Sequence, residues 1–492
     1  MNLSRIVEHW ARMRPDHCAI HFQGEDIPYA QLWGRIEQLT ANLALRHRVQ
    51  QGERVAWLGL NHPDFIAFLM AAARLGVIAV PLNFRLAARE IAEVLKNATA
   101  GRMFVDGPME ALGRAAAAGL NVAVEPVANL DDCVSGCPEL PGRDGDPLLL
   151  VYTSGTTGKP KGALHTQENL LWNYQSAIAA QDITSRDHLL SSLPMFHVGG
   201  LNIQLLPTLM AGGTVTLHSR VDPGAWLADV GARRPTLSLL VPATIRMVLE
   251  HPDWPHADLS SLRLINAGSS VVPRSMIDAF HARGVPVNQV YGATETGPVS
   301  ITLRSEDAVR KAGSAGKVAM HVEARLVGAD GRDVADGAIG EIWVRGKNVV
   351  AGYWNDPHNS AFVDGWFKSG DLARRDEEGF FFIVGRSRDM IISGGENIYP
   401  AELENVLADC TDIVECAVLG QEDARWGEVA VAVVVRKADS RLTEAGVAAL
   451  FEGRLARYKH PRRVVFAESL PKTALGKVQK AALRALMVAS AG

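Results

Sequence analysis

The segment from Glu53 to Leu82 constrains the fold most. A β-rich run (Arg54 to Leu60) is followed by a helical stretch from Pro63 to Leu75 and then by the apolar run Val77-Ile-Ala-Val-Pro81. Strand, helix and strand at this spacing form a β-α-β unit, which implies a parallel sheet covered by helices. The alternation recurs at Leu148 to Tyr152, Leu189 to Leu193, Thr214 to Leu217, Leu237 to Val241 and Leu262 to Ile265, each run leading into a helical or glycine-bearing segment. Repetition of the unit predicts an α/β protein with layered sheets.

After about residue 320 the texture changes to short strands with turn signals, at Glu323 to Val327, Gly340 to Gly346 and Gly379 to Gly385, which implies a β-rich subdomain. Beyond Gly385 a helix is expected over Pro400 to Leu407, strands over Glu415 to Leu419 and Val429 to Val435, and a helix near Val447 to Leu455. That tail is large enough for a small α+β domain. The expected division is residues 1–388 and 389–492.

Composition narrows the function classes. With 492 residues the chain is too long for one ordinary core. Lys+Arg at 50 against Asp+Glu at 54 provides no basic excess of the kind a nucleic-acid binder carries. Five cysteines include one C-x3-C pair, Cys133 and Cys137, without a second pair to complete a zinc tetrahedron, so reduced structural thiols and a cytoplasmic location are expected. The N-terminus reads as an amphipathic helix, not a secretory signal, and the apolar stretch Phe65 to Leu82 is broken by Arg74, so no membrane span is expected.

The stretch Tyr152-Thr-Ser-Gly-Thr-Thr-Gly-Lys-Pro-Lys-Gly162 follows a strand directly. Gly155, Gly158 and Gly162 allow close backbone approach. The hydroxyls of Thr153, Ser154, Thr156 and Thr157 supply donors, and Lys159 and Lys161 supply charge. These features suit a polyphosphate. The spacing fails the Walker A pattern, and no G-x-G is present for a dinucleotide fingerprint.

This stretch closely resembles the signature of the adenylate-forming superfamily, which includes acyl-CoA synthetases, 4-coumarate:CoA ligases and luciferases. Further motifs resemble that superfamily in order. Tyr291-Gly-Ala-Thr-Glu295 resembles its aromatic-Gly-x-Thr-Glu motif, with alanine at 293 where methionine is commoner. The resemblance implies that Tyr291 packs on adenine beside Gly292, that Thr294 contacts phosphate, and that Glu295 and Thr156 hold Mg2+. Trp366 to Asp371 resembles the motif whose aspartate, Asp371, binds the ribose hydroxyls. Gly385 to Pro400 resembles the domain hinge, with Arg386 toward ribose and Asp389 as pivot. Pro471 to Lys477 resembles the C-terminal motif whose lysine, Lys477, completes the adenylation site. Ala267, Gly268 and Ser269 resemble the loop between adenine and acyl chain, and Leu193 to Asn202 resembles the acyl-pocket motif, with His197 near the reacting carboxylate and Gly199 and Gly200 leaving room.

The resemblance implies an AMP-forming acid:CoA ligase with ATP, Mg2+ and coenzyme A as co-reactants. Lys477, Thr156, Glu295 and His197 are its catalytic candidates, and Gly394 and Gly395 would flank the pantetheine arm. The motifs look closest to feruloyl-CoA and fatty acyl-CoA synthetases. No lysine or arginine in either acyl segment matches a second carboxylate, so a monocarboxylic acid is expected, hydroxycinnamate-type or medium-to-long-chain. Transfer to a carrier protein or another acceptor, and a noncatalytic nucleotide-binding module, stay open as alternatives. The partners implied are small molecules, with a homodimer among the assemblies open to the chain.

Overall fold

The structure is a computed structural model. It describes residues 2–489 except 133, 135, 137, 155–159, 270–271, 394–395, 424 and 474–475, and describes no side chain at 154, 488 or 489. The pair Cys133 and Cys137 and the loop residues Gly155, Thr156, Thr157, Gly158 and Lys159 therefore lie outside the described residues, as do Gly394 and Gly395.

Two large sheets share one core. The first has nine strands and runs Lys317–Val318, Ile301–Thr302, Val287–Tyr291, Leu264–Gly268, Leu237–Leu240, His188–Ser191, Thr214–Leu217, Cys18–Phe22 and Glu25–Pro28. The six strands from Val287–Tyr291 to Cys18–Phe22 are parallel. The second sheet has six strands, parallel from Ala123–Pro126 through Arg102–Val105, Arg54–Leu58 and Ile78–Pro81 to Pro147–Ser154, and closed by the antiparallel strand Pro160–Thr166.

Helix Pro63–Leu75 explains why the sheets stack. Every residue except Asp64 and Arg74 is buried, and a helix apolar around its circumference needs cover on all sides. The cluster that contains it draws Val55, Ala79 and Leu149 from one sheet and Leu189, Val215 and Leu237 from the other. Each fully buried Phe or Leu contributes about 1.5–3 kcal/mol, so this shared layer joins the sheets firmly. Its ends are stopped locally: Nδ1 of His62 accepts from the Asp64 amide at 3.1 Å, and Gly76 takes the left-handed conformation at φ 66°.

A third, antiparallel sheet is built from Val322–Val327, Ile339–Gly346, Trp366–Arg375, Phe362–Val363 and Phe381–Arg386. The last sheet, from Ile391–Ser393 onward, has Gly427–Arg436 between Ile413–Asp423 and Arg463–Phe466 and carries helix Pro400–Ala408. Only residues 387–390, which include the short turn Ser387–Asp389, separate these two sheets along the chain. The helix expected near Val447 to Leu455 is shorter and shifted, at Glu444–Ala449. From Leu450 onward several amides bond three residues back, and Gly453 adopts φ 70°, so the chain closes in tight turns instead. Among the described residues no helix is long and apolar enough to cross a membrane.

Candidate active site

Parallel strands end along one edge of the nine-stranded sheet, and that edge is where an open α/β sheet builds a crevice. Strand Leu264–Gly268 delivers Ala267, Gly268 and then Ser269, and strand Val287–Tyr291 delivers Tyr291, Gly292 and the turn Thr294–Thr296. Glycine is demanded at two of these positions. A Cβ on Gly268 would lie 2.4 Å from the Val290 carbonyl oxygen, and one on Gly292 would lie 1.6 Å from that of Pro298.

Glu295 is 7% exposed, and burial pushes its carboxyl pKa up. The Tyr353 hydroxyl opposes this by donating to Oε1 at 2.5 Å. A desolvated carboxylate is a hard oxygen donor of the type Mg2+ takes, so the residue could hold the ion. The turn around it is pinned. Val350 donates its amide to the Glu295 carbonyl at 2.9 Å, Asn348 donates to the Thr296 carbonyl at 2.6 Å, and Asn173 Oδ1 accepts from the Val299 amide at 2.9 Å.

Tyr353 also joins this turn to the second sheet. Its backbone bridges to Ala163, the Trp354 amide donates to the Gly162 carbonyl at 2.7 Å, and the Lys161 ammonium stands 4.9 Å from the Tyr353 ring centroid. Thr153 and Ser154 sit at the end of strand Pro147–Ser154, paired with Lys161 and Pro160. The hairpin that carries the Gly-rich segment is thereby tied to Glu295.

Asp371 and Arg386 face each other across antiparallel strands. Nε of Arg386 lies 2.9 Å from Asp371 Oδ1, and the Tyr291 hydroxyl donates to Oδ2 at 2.9 Å. One carboxylate therefore ties the aromatic ring of the first sheet to the arginine at the end of the third.

Lys477 reaches the same crevice from the C-terminal domain. Burial and then the charge of Arg386 push its ammonium pKa down to about 8, with Arg388 adding to this and Asp371 and Asp389 opposing it. The residue is nevertheless exposed to solvent. Cations drawn together in this way create a field for a polyanion. Gly476 holds the lysine in place: its φ is 76°, and a Cβ there would lie 2.7 Å from that of Ala243. The Thr473 amide donates to the Lys477 carbonyl at 2.7 Å and closes the loop.

His197 caps the short helix Val198–Asn202, its Nδ1 accepting from the Gly199 amide at 3.2 Å. Burial, then the charge of Lys477, pushes its pKa down to about 4, so the ring is neutral near pH 7 with its proton on Nε2. Gly200 is required because a Cβ would meet the Pro194 carbonyl oxygen at 2.3 Å. Gly199 borders looser space, with no neighbour nearer than 3.5 Å.

The structure thus brings Tyr291, Asp371, Arg386, His197 and Lys477 to one crevice, with Thr153, Ala267 to Ser269, Gly292, Thr294 and Glu295 on strand ends and turns of the two large sheets. Residues 7–354 match the AMP-binding enzyme family, and residues 402–477 match the AMP-binding enzyme C-terminal domain. The chain belongs to this family.

As an AMP-binding enzyme it is 45% identical to the indoleacetate–CoA ligase of Aromatoleum aromaticum, over 99% of this chain and 98% of that one. It is 42% identical to a feruloyl-CoA synthase of Amycolatopsis, over 96% of each. The o-succinylbenzoate coenzyme A synthetase of Bacillus subtilis, solved with ATP and magnesium, superposes with a TM-score of 0.90 at 31% identity, covering 98% of this chain and 99% of that one. The protein is an acyl-CoA synthetase of the AMP-forming class, whose reaction uses ATP, Mg2+ and CoA.

Two residues of this AMP-binding enzyme escape a motif-based reading. Tyr353 lies in a turn-rich stretch with Gly352 and Asn355, where an aromatic residue carries no signal by itself. Asn173 stands inside helix Gln167–Gln181 and is fully buried, and an amide on the buried face of a helix is an available clue.

Proposed function

We propose that the enzyme activates an aryl-bearing monocarboxylic acid of the arylacetate or hydroxycinnamate type and transfers it to CoA. The similarity to indoleacetate and feruloyl ligases over nearly the whole chain carries this reading. The segment around His197 agrees with it: Leu193 and Ile203 belong to one buried apolar cluster with Leu239, Val241, Val290 and Val299, and the segment from Leu193 to Asn202 contains no lysine or arginine. A second substrate carboxylate buried without such a partner would cost roughly several kcal/mol.

In the first half-reaction a substrate carboxylate oxygen bonds to the α-phosphorus of ATP, and the bond to the departing pyrophosphate breaks. The nucleophile is already ionised, so positioning and charge neutralisation are what the site must provide. Magnesium, when bound, neutralises phosphate oxygens. Glu295 and Thr156 would hold it, and Tyr353 orients Glu295. Tyr291 offers its ring to adenine, Asp371 and Arg386 meet the ribose, and Lys477 meets the phosphates, for which the residue types at 155–159 are also suited. Neutral His197 presents Nε2–H toward the acyl carboxylate.

In the second half-reaction the CoA thiol sulfur bonds to the acyl carbon and AMP leaves. We assign residues 389–492 to a mobile lid turning at Asp389, which lies in the turn between the third and fourth sheets. With Lys477 in the crevice, the present arrangement suits adenylation. Rotation would withdraw it and bring Gly394 and Gly395 to the pantetheine arm. A screen that measures CoA-dependent AMP release with arylacetates, hydroxycinnamates, fatty acids and dicarboxylates tests the proposal. Arylacetates or hydroxycinnamates should give the highest kcat/KM. Preference for a dicarboxylate or a long-chain fatty acid would reject it.

A further inference from the structure

The edge hairpin of the nine-stranded sheet, Cys18–Phe22 with Glu25–Pro28, carries donor atoms that the ligase reaction does not use. In a regular strand, residues three apart point to opposite faces. Cys18 and His21 would then diverge. Here the pairing slips, with Cys18 opposite Pro28 while Ile20 is opposite Ile27, so one extra residue is accommodated between them. A bulge of this kind re-aims side chains. Ala19 and Ile20 are fully buried, whereas Cys18 and His21 turn to one side with Sγ 3.5 Å from Nδ1. His21 pairs directly across the ladder with Asp26, whose carboxylate contacts the same ring nitrogen. One donor atom from each of Cys18, His21 and Asp26 lies within 4.8 Å of the other two.

Those separations match a known coordination geometry. A tetrahedral zinc ion about 2.3 Å from a thiolate and about 2.0 Å from an imidazole holds the two donors about 3.5 Å apart. Asp26 sits closer to His21 than a shared ion would allow. Its side chain is 58% exposed, however, and has room to swing outward. The ring of His188 is 5.5 Å from that of His21, centroid to centroid, and its Nε2 contacts Thr216 Oγ1 at 2.7 Å. A hydroxyl partner of that type is readily exchanged for an ion. Arg233 stands 3.9 Å from Asp26 and opposes a cation, which a thiolate and a carboxylate together outweigh.

We propose that Cys18, His21 and Asp26 form a binding site for a zinc-class divalent ion, with His188 or water in the fourth position. A thiolate and an imidazole select borderline-soft ions over Mg2+, so ATP-bound magnesium does not compete. On binding, the thiol S–H bond breaks, the sulfur lone pair bonds to the ion and the proton passes to solvent, with no change of oxidation state. The ion fastens the edge hairpin at a place separate from the catalytic crevice.

Titration of the full-length protein with Co2+ tests this. One equivalent should produce a near-ultraviolet thiolate-to-cobalt charge-transfer band with tetrahedral bands in the visible, and Zn2+ should abolish both. Cys18→Ser should lose the charge-transfer band. Asp26→Asn should weaken cobalt affinity about tenfold or more, the scale on which even second-shell partners act. Both variants should keep their rate of adenylation, which also confirms that they fold. Absence of the band at several equivalents of Co2+ would overturn the site. A band that survives Cys18→Ser would belong to another thiol and overturn it equally, as would unchanged affinity in Asp26→Asn. In that event the Cys18 and His21 contact is only an S–H hydrogen bond.

Discussion

The two sides of the crevice are built on different principles. On the nine-stranded sheet, the turn bearing Glu295 is held by backbone and amide bonds from Val350, Asn348 and Asn173, and Glu295, Thr294 and Thr296 are buried. Opposite, Lys477 is solvent-exposed in a loop of the C-terminal domain, closed by the Thr473 backbone and seated against Ala243. One wall is part of a core, and the other is an exposed loop contact, which the proposed lid rotation would undo. A site that must serve adenylation and then thioester formation needs one surface that persists and one that leaves.

The largest effect that separates the two walls is expected from Lys477→Ala. Adenylation, followed by pyrophosphate release, should fall by about 10²-fold or more, by analogy with removal of a preorganised oxyanion donor. Thioester formation from premade acyl-adenylate and CoA should stay within a few-fold of wild type. Equal loss in both half-reactions would mean that the C-terminal contact is as permanent as the sheet wall.

Glu295→Gln probes the persistent wall. Adenylation should drop by about 10–100-fold and need more Mg2+, the scale seen when metal-site partners are removed. The melting temperature should hold or rise, because burial already penalises the charge at this position. An unchanged magnesium dependence would take Glu295 out of the metal site.

The pH profile sharpens the contrast further. With its pKa lowered to about 8, Lys477 is cationic below that pH and loses its charge above it. kcat/KM for ATP in adenylation should therefore be level below about pH 8 and fall about tenfold per pH unit above it, as a free-enzyme group dictates. Bound phosphate favours the charged form, so the limb in kcat should lie higher. Lys477→Arg should abolish the limb, and a limb that persists there belongs to another group.

The smallest effect is expected from Tyr353→Phe. Losing one hydrogen bond to a charged group costs about 1.5–3 kcal/mol in a buried setting. Only part of that reaches the transition state, so a loss of several-fold in adenylation with a raised magnesium requirement is expected. A change in ATP affinity without any change in magnesium requirement would place Tyr353 elsewhere in the mechanism.

Much of this is legible in the sequence. Helix Pro63–Leu75 has the expected bounds because its cap residues His62 and Gly76 act within one turn of the chain. The crevice residues were legible as motifs because each belongs to a short local run of glycine and polar residues, several of them, such as Gly268, Tyr291 and Arg386, closing a strand. Tyr353 was not, since its partner Glu295 is 58 residues away and nothing local marks the pair. The bulge at Cys18 was equally hidden. Period-2 alternation places Cys18 and His21 on opposite faces, and only pairing with Glu25–Pro28 turns them together.

The sequence by itself determined the α/β alternation, the Gly-rich stretch from Tyr152 to Gly162 with its companion motifs, and through them the reaction class. Those features are set by residue type within a few positions, where propensity, capping and donor chemistry operate. The tertiary structure decided which groups share a field: that Arg386 stands close enough to Lys477 to lower its pKa, that Tyr353 holds Glu295, and that Asp371 joins Tyr291 to Arg386. Coulomb and hydrogen-bond energies depend on distance and burial, and both are settled only when separate segments pack.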